Sequence, residues 1–108
     1  MSEKKYILDG RHAKAVDLLT WARWFETADR HVANEIVNGY RISTVFLGID
    51  HRFSGEGPPL LFETMVFPNG GEHLDDMQEQ FCERAATWEE AEACHRRGVE
   101  FVRRLSIN

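Results

Sequence analysis

Two strongly apolar stretches run from Tyr40 to Ile49 and from Leu60 to Phe67. A strand sends successive side chains to opposite faces. In the first stretch Ile42, Thr44, Phe46 and Gly48 therefore share one face, and Val45, Leu47 and Ile49 share the other. In the second, Leu61, Glu63, Met65 and Phe67 oppose Leu60, Phe62, Thr64 and Val66. Both faces of 60–67 are largely apolar, which predicts a central strand covered on at least one side. Asn38-Gly39 suits the two left-handed positions of a type I′ turn, so the arms Val32 to Val37 and Tyr40 to Ile49 are expected to form a hairpin. Tyr6 to Asp9 reads as a short strand ending in a turn at Gly10, and residues 11–16 as a connection with little pattern.

Helical spacing appears twice. Asp17 is placed to cap a first helix, and Leu18, Trp21, Ala22, Phe25, Ala28 and Val32 recur along one stripe, with the helix ending near Arg30. Trp24 falls roughly 90° from the centre of that stripe, counting ~100° per residue, and is a boundary residue. Thr87-Trp88-Glu89-Glu90 matches a capping box for a second helix that buries Trp88, Ala91, His95, Val99 and Val102, with Cys94, Phe101 and Leu105 widening the stripe. Gly98 lies within this stripe at a cost of about 1 kcal/mol of helix propensity relative to Ala, which predicts a close helix–sheet contact. Between these elements, 50–59 is a Gly- and Pro-rich loop, 68–71 breaks the central strand and 72–79 is an acidic connection. Residues 80–85 form an edge strand or an irregular lead-in. The sum is a single α+β domain over residues 1–108, with an antiparallel sheet of four to five strands and two helices packed largely on one face.

Composition narrows the function classes. The 108 residues are 43% hydrophobic and 29% charged, with three Trp and seven Phe to dominate a modest core. A net charge of -5 argues against general binding to nucleic acid or anionic membranes. The arginines of the last helix sit among Glu89, Glu90, Glu92 and Glu100, as a solvated helix end would. The first residues carry no apolar run of a secretory signal, and no stretch approaches the ~20 apolar residues of a membrane span. Cys82 and Cys94 lack C-x-x-C spacing and read as reduced, small apolar residues in a cytoplasmic protein.

Two constellations carry candidate chemistry. Glu63 is a carboxylate among apolar neighbours, and the strand 40–49 leads into Asp50-His51 at the end of the ladder that Glu63 occupies. A histidine between two carboxylates can act as a general base. The competing reading is an Asp closing a turn, an exposed His, and a Glu paired with an Arg from the helix layer. The second constellation is Trp24 with Arg23, Glu26, Arg30 and His51. There Glu26 and Arg30 are spaced to pair on the helix surface, and Trp24 offers a platform for a ring or an anchor for another protein, or simply folds onto the sheet edge. The five histidines are scattered without ligand spacing, so no metal is expected, and His95 reads as a hydrogen-bonded core histidine. No nucleotide or cofactor fingerprint is present, and no cofactor is expected.

The segments Trp21 to Ala33, Ser43 to His51 and Gly57 to Phe67, with Thr87-Trp-Glu-Glu-Ala-Glu-Ala93, resemble a family of small proteins encoded by tailed bacteriophages and prophages. The resemblance spans most of residues 6–95 and carries no functional residue with it. It implies an accessory protein of the host cell cytoplasm that binds a host protein or a small ligand such as a nucleotide, in host takeover or counter-defence. The absence of a complete catalytic set points the same way, toward binding without turnover. A small hydrolase or nucleotide-processing enzyme using Glu63, His51 and Asp50 is the first alternative, and a minor virion component the second. A homodimer is expected from how common two-fold homo-oligomers are.

Overall fold

A computed structural model of the chain describes residues 4–50, 52, 57–68 and 81–105. The order is β1 (Lys5–Asp9), β2 (His12–Val16), α1 (Leu18–Thr27), β3 (His31–Val37), β4 (Tyr40–Phe46), β5 (Phe62–Pro68), β6 (Cys82–Ala85) and α2 (Trp88–Leu105). The fold is α+β with antiparallel sheets: β3-β4-β5-β6 form a four-stranded meander, and β1-β2 a separate two-stranded hairpin.

The β4–β5 register sets the core. Ile42 pairs with Val66, Thr44 with Thr64, and Phe46 with Phe62. All six are buried on the face that α2 covers. That is the alternation read from the sequence, including the two threonines. From α2 come Ala91, Cys94, His95, Gly98, Val99 and Val102. Gly98 gives the close approach its position implied, because a Cβ there would lie 3.1 Å from Ile42 Cγ2 and 3.4 Å from Thr64 Cγ2. Asn38 and Gly39 hold φ of 50° and 82°, as the hairpin turn requires. The capping box forms: Thr87 Oγ1 accepts from the Glu90 N–H at 3.1 Å, and the Glu90 carboxylate accepts from the Ala86 N–H at 3.1 Å.

Four expectations change. Residues 12–16 are not a connection but β2, since pairing with β1 makes a strand of a segment whose one strong β-former is Val16. The first helix starts as expected, with Asp17 accepting from the Thr20 N–H at 2.7 Å, but it ends at Thr27 rather than near Arg30. Its apolar stripe is also rotated, because α1 caps the end of the sheet rather than lying across it. Leu18 is 64% exposed, while Trp24 packs edge-on against Phe46 with centroids 5.7 Å apart. Leu105, expected to widen the α2 stripe, is 39% exposed at the helix end.

Candidate functional site

The sheet face under α2 carries a chain of four polar side chains between two apolar clusters. One cluster centres on Phe46, Phe62 and Leu61, and the other on Ile42, Val66 and Val102. The Thr64 and Thr44 hydroxyls lie 2.6 Å apart, Thr44 Oγ1 is 2.7 Å from His95 Nδ1, and His95 Nε2 is 2.8 Å from Glu35 Oε1. An ionised carboxylate only accepts, so with His95 neutral its Nε2–H donates to Glu35 and its Nδ1 accepts from Thr44. Thr44 must then accept from Thr64. The order of carboxylate, imidazole and hydroxyl is that of a nucleophilic triad, yet Thr44 is 0% exposed and no substrate reaches its oxygen. The chain satisfies buried polar groups and ends at Glu35, whose side chain is half exposed beside a groove lined by Arg96, Val99, Glu100 and Arg103.

A second groove of about 440 Å³ opens between the tip of the β1–β2 hairpin and the start of α2. Tyr6, Phe62 and Trp88 supply aromatic walls, while Arg11 and His12 reach in from the hairpin and Glu89 from the helix. The Arg11 guanidinium lies 5.3 Å from the centroid of the Trp88 ring, and Phe62 meets the same indole edge-on at 6.3 Å. Gly10, at φ 65°, turns the chain at the hairpin tip and so places Arg11 there. Trp88 Nε1 is buried without a hydrogen-bond partner among the described residues.

The residues singled out from the sequence lie elsewhere. Glu63 sits on the sheet face opposite α2, and its partner is not an arginine of the helix layer. Arg84, its neighbour on β6, donates from Nε to Glu63 Oε2 at 3.1 Å, and the Cys82 thiol approaches the same oxygen at 3.7 Å. Asp50 Oδ1 accepts from the Arg52 and Leu60 N–H groups at 2.9 and 2.8 Å, closing the loop between β4 and β5. His51 lies outside the described residues, as does the stretch 69–80. The Glu26–Arg30 pair does not form. Arg30 falls beyond the helix, donates to the Phe46 carbonyl at 3.1 Å and stacks over Phe25 at 4.2 Å, while Arg23 and Glu26 point to solvent. Trp24 is half-buried against Phe46 and is part of the core rather than an open platform.

The electrostatics elsewhere on α2 are structural. Arg97 grips Glu83 of β6 at 2.6 and 2.9 Å, and this hydrogen bonding holds the Glu83 carboxyl below its usual range. Burial pushes the Cys94 thiol up, so it stays protonated at neutral pH. Among the described residues no three His, Cys, Asp or Glu side chains are grouped to hold a metal ion.

Sequence reasoning missed Arg11, Glu35 and the role of Trp88 as a groove wall. A signal for the buried chain was visible: Thr44 and Thr64 interrupt the apolar face of their strands, and His95 interrupts the stripe of α2. Nothing in the sequence tells which helix position meets which strand position. Compared with known proteins, the chain matches no family model, no curated protein and no solved structure.

Proposed function

We propose that this chain is an accessory protein of the phage-encoded kind its motifs resemble. It binds, without turnover, an anionic ligand with a planar ring (a nucleotide) in the cytoplasm of the host cell. The observation that carries the reading is the groove at the hairpin tip. Its volume of about 440 Å³ falls in the range of small-ligand sites. Its walls pair aromatic faces, on which a base stacks, with the guanidinium of Arg11 and the imidazole of His12, which suit a phosphate. Glu89 at its rim accepts from an exocyclic amino group. In the free protein Arg11 covers the Trp88 ring. A base takes that place, and Arg11 turns to the phosphate.

Binding rather than catalysis is supported by how the carboxylates are used. Glu63 is held by Arg84, Asp50 by two backbone N–H groups, and the triad-like Thr44 is sealed from solvent. No helix among the described residues is long and apolar enough to cross a membrane.

Titration of the full chain with AMP, GMP and UMP, followed by tryptophan fluorescence, tests the reading. At least one should quench with saturation, and Trp88→Ala or Arg11→Ala should weaken it roughly tenfold or more, since stacking of one base contributes ~1–3 kcal/mol. Absence of saturable binding, with native mass spectrometry of the gently purified protein showing only integer multiples of the chain mass, would overturn it. A protein partner from host lysate would then be the object to seek.

A further inference from the structure

We infer that the outer edge of β3 is the contact through which two copies of this chain join. β3 closes one side of the four-stranded sheet, and among the described residues no strand pairs with its outer side. Edge strands are ordinarily guarded by lysines, prolines, bulges or short length. The other edge follows that rule, since β6 is four residues long and carries Glu83 and Arg84. β3 does not. It is seven residues long, holds no Lys or Pro, and has its one register irregularity at His31–Ala33, which leaves Ala33 to Val37 regular. Its single carboxylate, Glu35, turns to the α2 side, where His95 holds it at 2.8 Å and its side chain stays half exposed beside the edge. Ile36, on the opposite face, is left 60% exposed.

The occupant is indicated by charge. Beside this edge, on the α2 side, the groove presents two carboxylates, Glu35 and Glu100, and two guanidiniums, Arg96 and Arg103. Arg103 reaches Glu100 only at 3.7 Å with both side chains exposed, and Arg96 has no ion pair among the described residues. A surface of a single sign repels its own copy, whereas a two-fold contact brings one patch against itself. A patch holding both signs beside a regular, unpaired strand is self-complementary. It suits a second copy better than an anionic or cationic partner. Antiparallel β3–β3 pairing continues the sheet across the two copies, covers Ile36, and sets Arg96 of one copy toward the carboxylates of the other. The hairpin groove proposed to take the nucleotide shares α2 with this surface but no lining residue, using Trp88 and Glu89 of its first turn, so the two readings stand or fall separately.

Sedimentation velocity of the full chain over a dilution series tests this. The expected result is a two-chain species that dissociates on dilution. Ile36→Lys and Arg96→Glu, both at exposed positions, should each weaken it by about tenfold or more while leaving the far-ultraviolet circular dichroism unchanged. If one variant fails to fold, the other still reads the contact. A single-chain species at every concentration overturns the inference, and so does a two-chain species that neither substitution weakens.

Discussion

Thr44 is the side chain on which the polarity of the interior turns. Its hydroxyl is bonded to both Thr64 Oγ1 and His95 Nδ1, so removing it strands two buried partners at once. An unsatisfied buried group costs about 1–3 kcal/mol. Thr44→Val, nearly isosteric, should therefore destabilise the protein by roughly 2 kcal/mol or more. Replacing the chain together, as Thr44→Val, Thr64→Val and His95→Leu, should cost less than the sum of the single changes, because a network removed whole leaves no orphan behind. Urea unfolding at constant m-value measures both, and a Thr44→Val protein within about 0.5 kcal/mol of wild type would refute the account. At this scale the sequence was informative about burial and silent about partners. Alternation placed Thr44 and Thr64 on the core face, and periodicity placed His95 in the α2 stripe. Glu35 stood in the moderately apolar arm 32–37 with nothing to mark it as the end of their chain, since contacts between residues as far apart as 35 and 95 are made only by docking α2 on the sheet.

Between elements, the clearest electrostatic tie is Arg97 of α2 on Glu83 of β6. Hydrogen bonding from Arg97 lowers the folded pKa of Glu83 below its unfolded value. Its contribution is thus fully present above the ordinary carboxylate range and is lost as pH falls through the lowered value. Both side chains are more than a third exposed, so screening by solvent keeps the effect within about 1 kcal/mol. The stability difference between wild type and Glu83→Gln should be measurable at pH 7 and shrink toward zero as the solution is acidified below about pH 4. A difference independent of pH would show that the substitution acts through packing. Asp17 and Asp29 titrate in the same direction, lowered by the N–H groups of Thr20 and His31. The start of each helix was legible from its cap, because capping is a contact within four residues. The face that α1 buries was not, because its spacing fits several rotations and only the position of the helix at the sheet end selects Trp21, Trp24 and Phe25 over Leu18.

Across the molecule, β1 ties the β1–β2 hairpin to the main body through the Lys5–Ile49 bridge, the Tyr6 N–H on the Gly48 carbonyl at 2.9 Å, and packing on α1 and on the Phe46 cluster, while the hairpin tip adds only Arg11 over Trp88 and β2 lies outside. Residues 12–15 are exposed throughout, and a two-stranded hairpin is marginally stable by itself. Amide hydrogen exchange should accordingly open the hairpin well before β4 and β5, whose amides should exchange only by global unfolding. Saturating AMP, if it is the ligand of the groove, should slow exchange at the hairpin and the first turn of α2. Equal protection of β2 and β4 would refute this division. Gly48 shows why the attachment takes this form. With φ at 79°, a Cβ there would sit 2.8 Å from Trp21 Nε1, so the chain passes beneath α1 only as glycine. Local rules, acting over a few residues, determined from the sequence alone β4 and β5 with their faces, the β3–β4 turn, the N-caps of the two helices, the glycine contact at Gly98 and the α+β class. Only the tertiary structure decided that the hairpin stands apart and makes a groove with Trp88, that Glu63 is answered from β6, and that Glu35 completes the buried chain. Each of these joins residues distant in sequence, and periodicity says which way a side chain faces but not what it meets there.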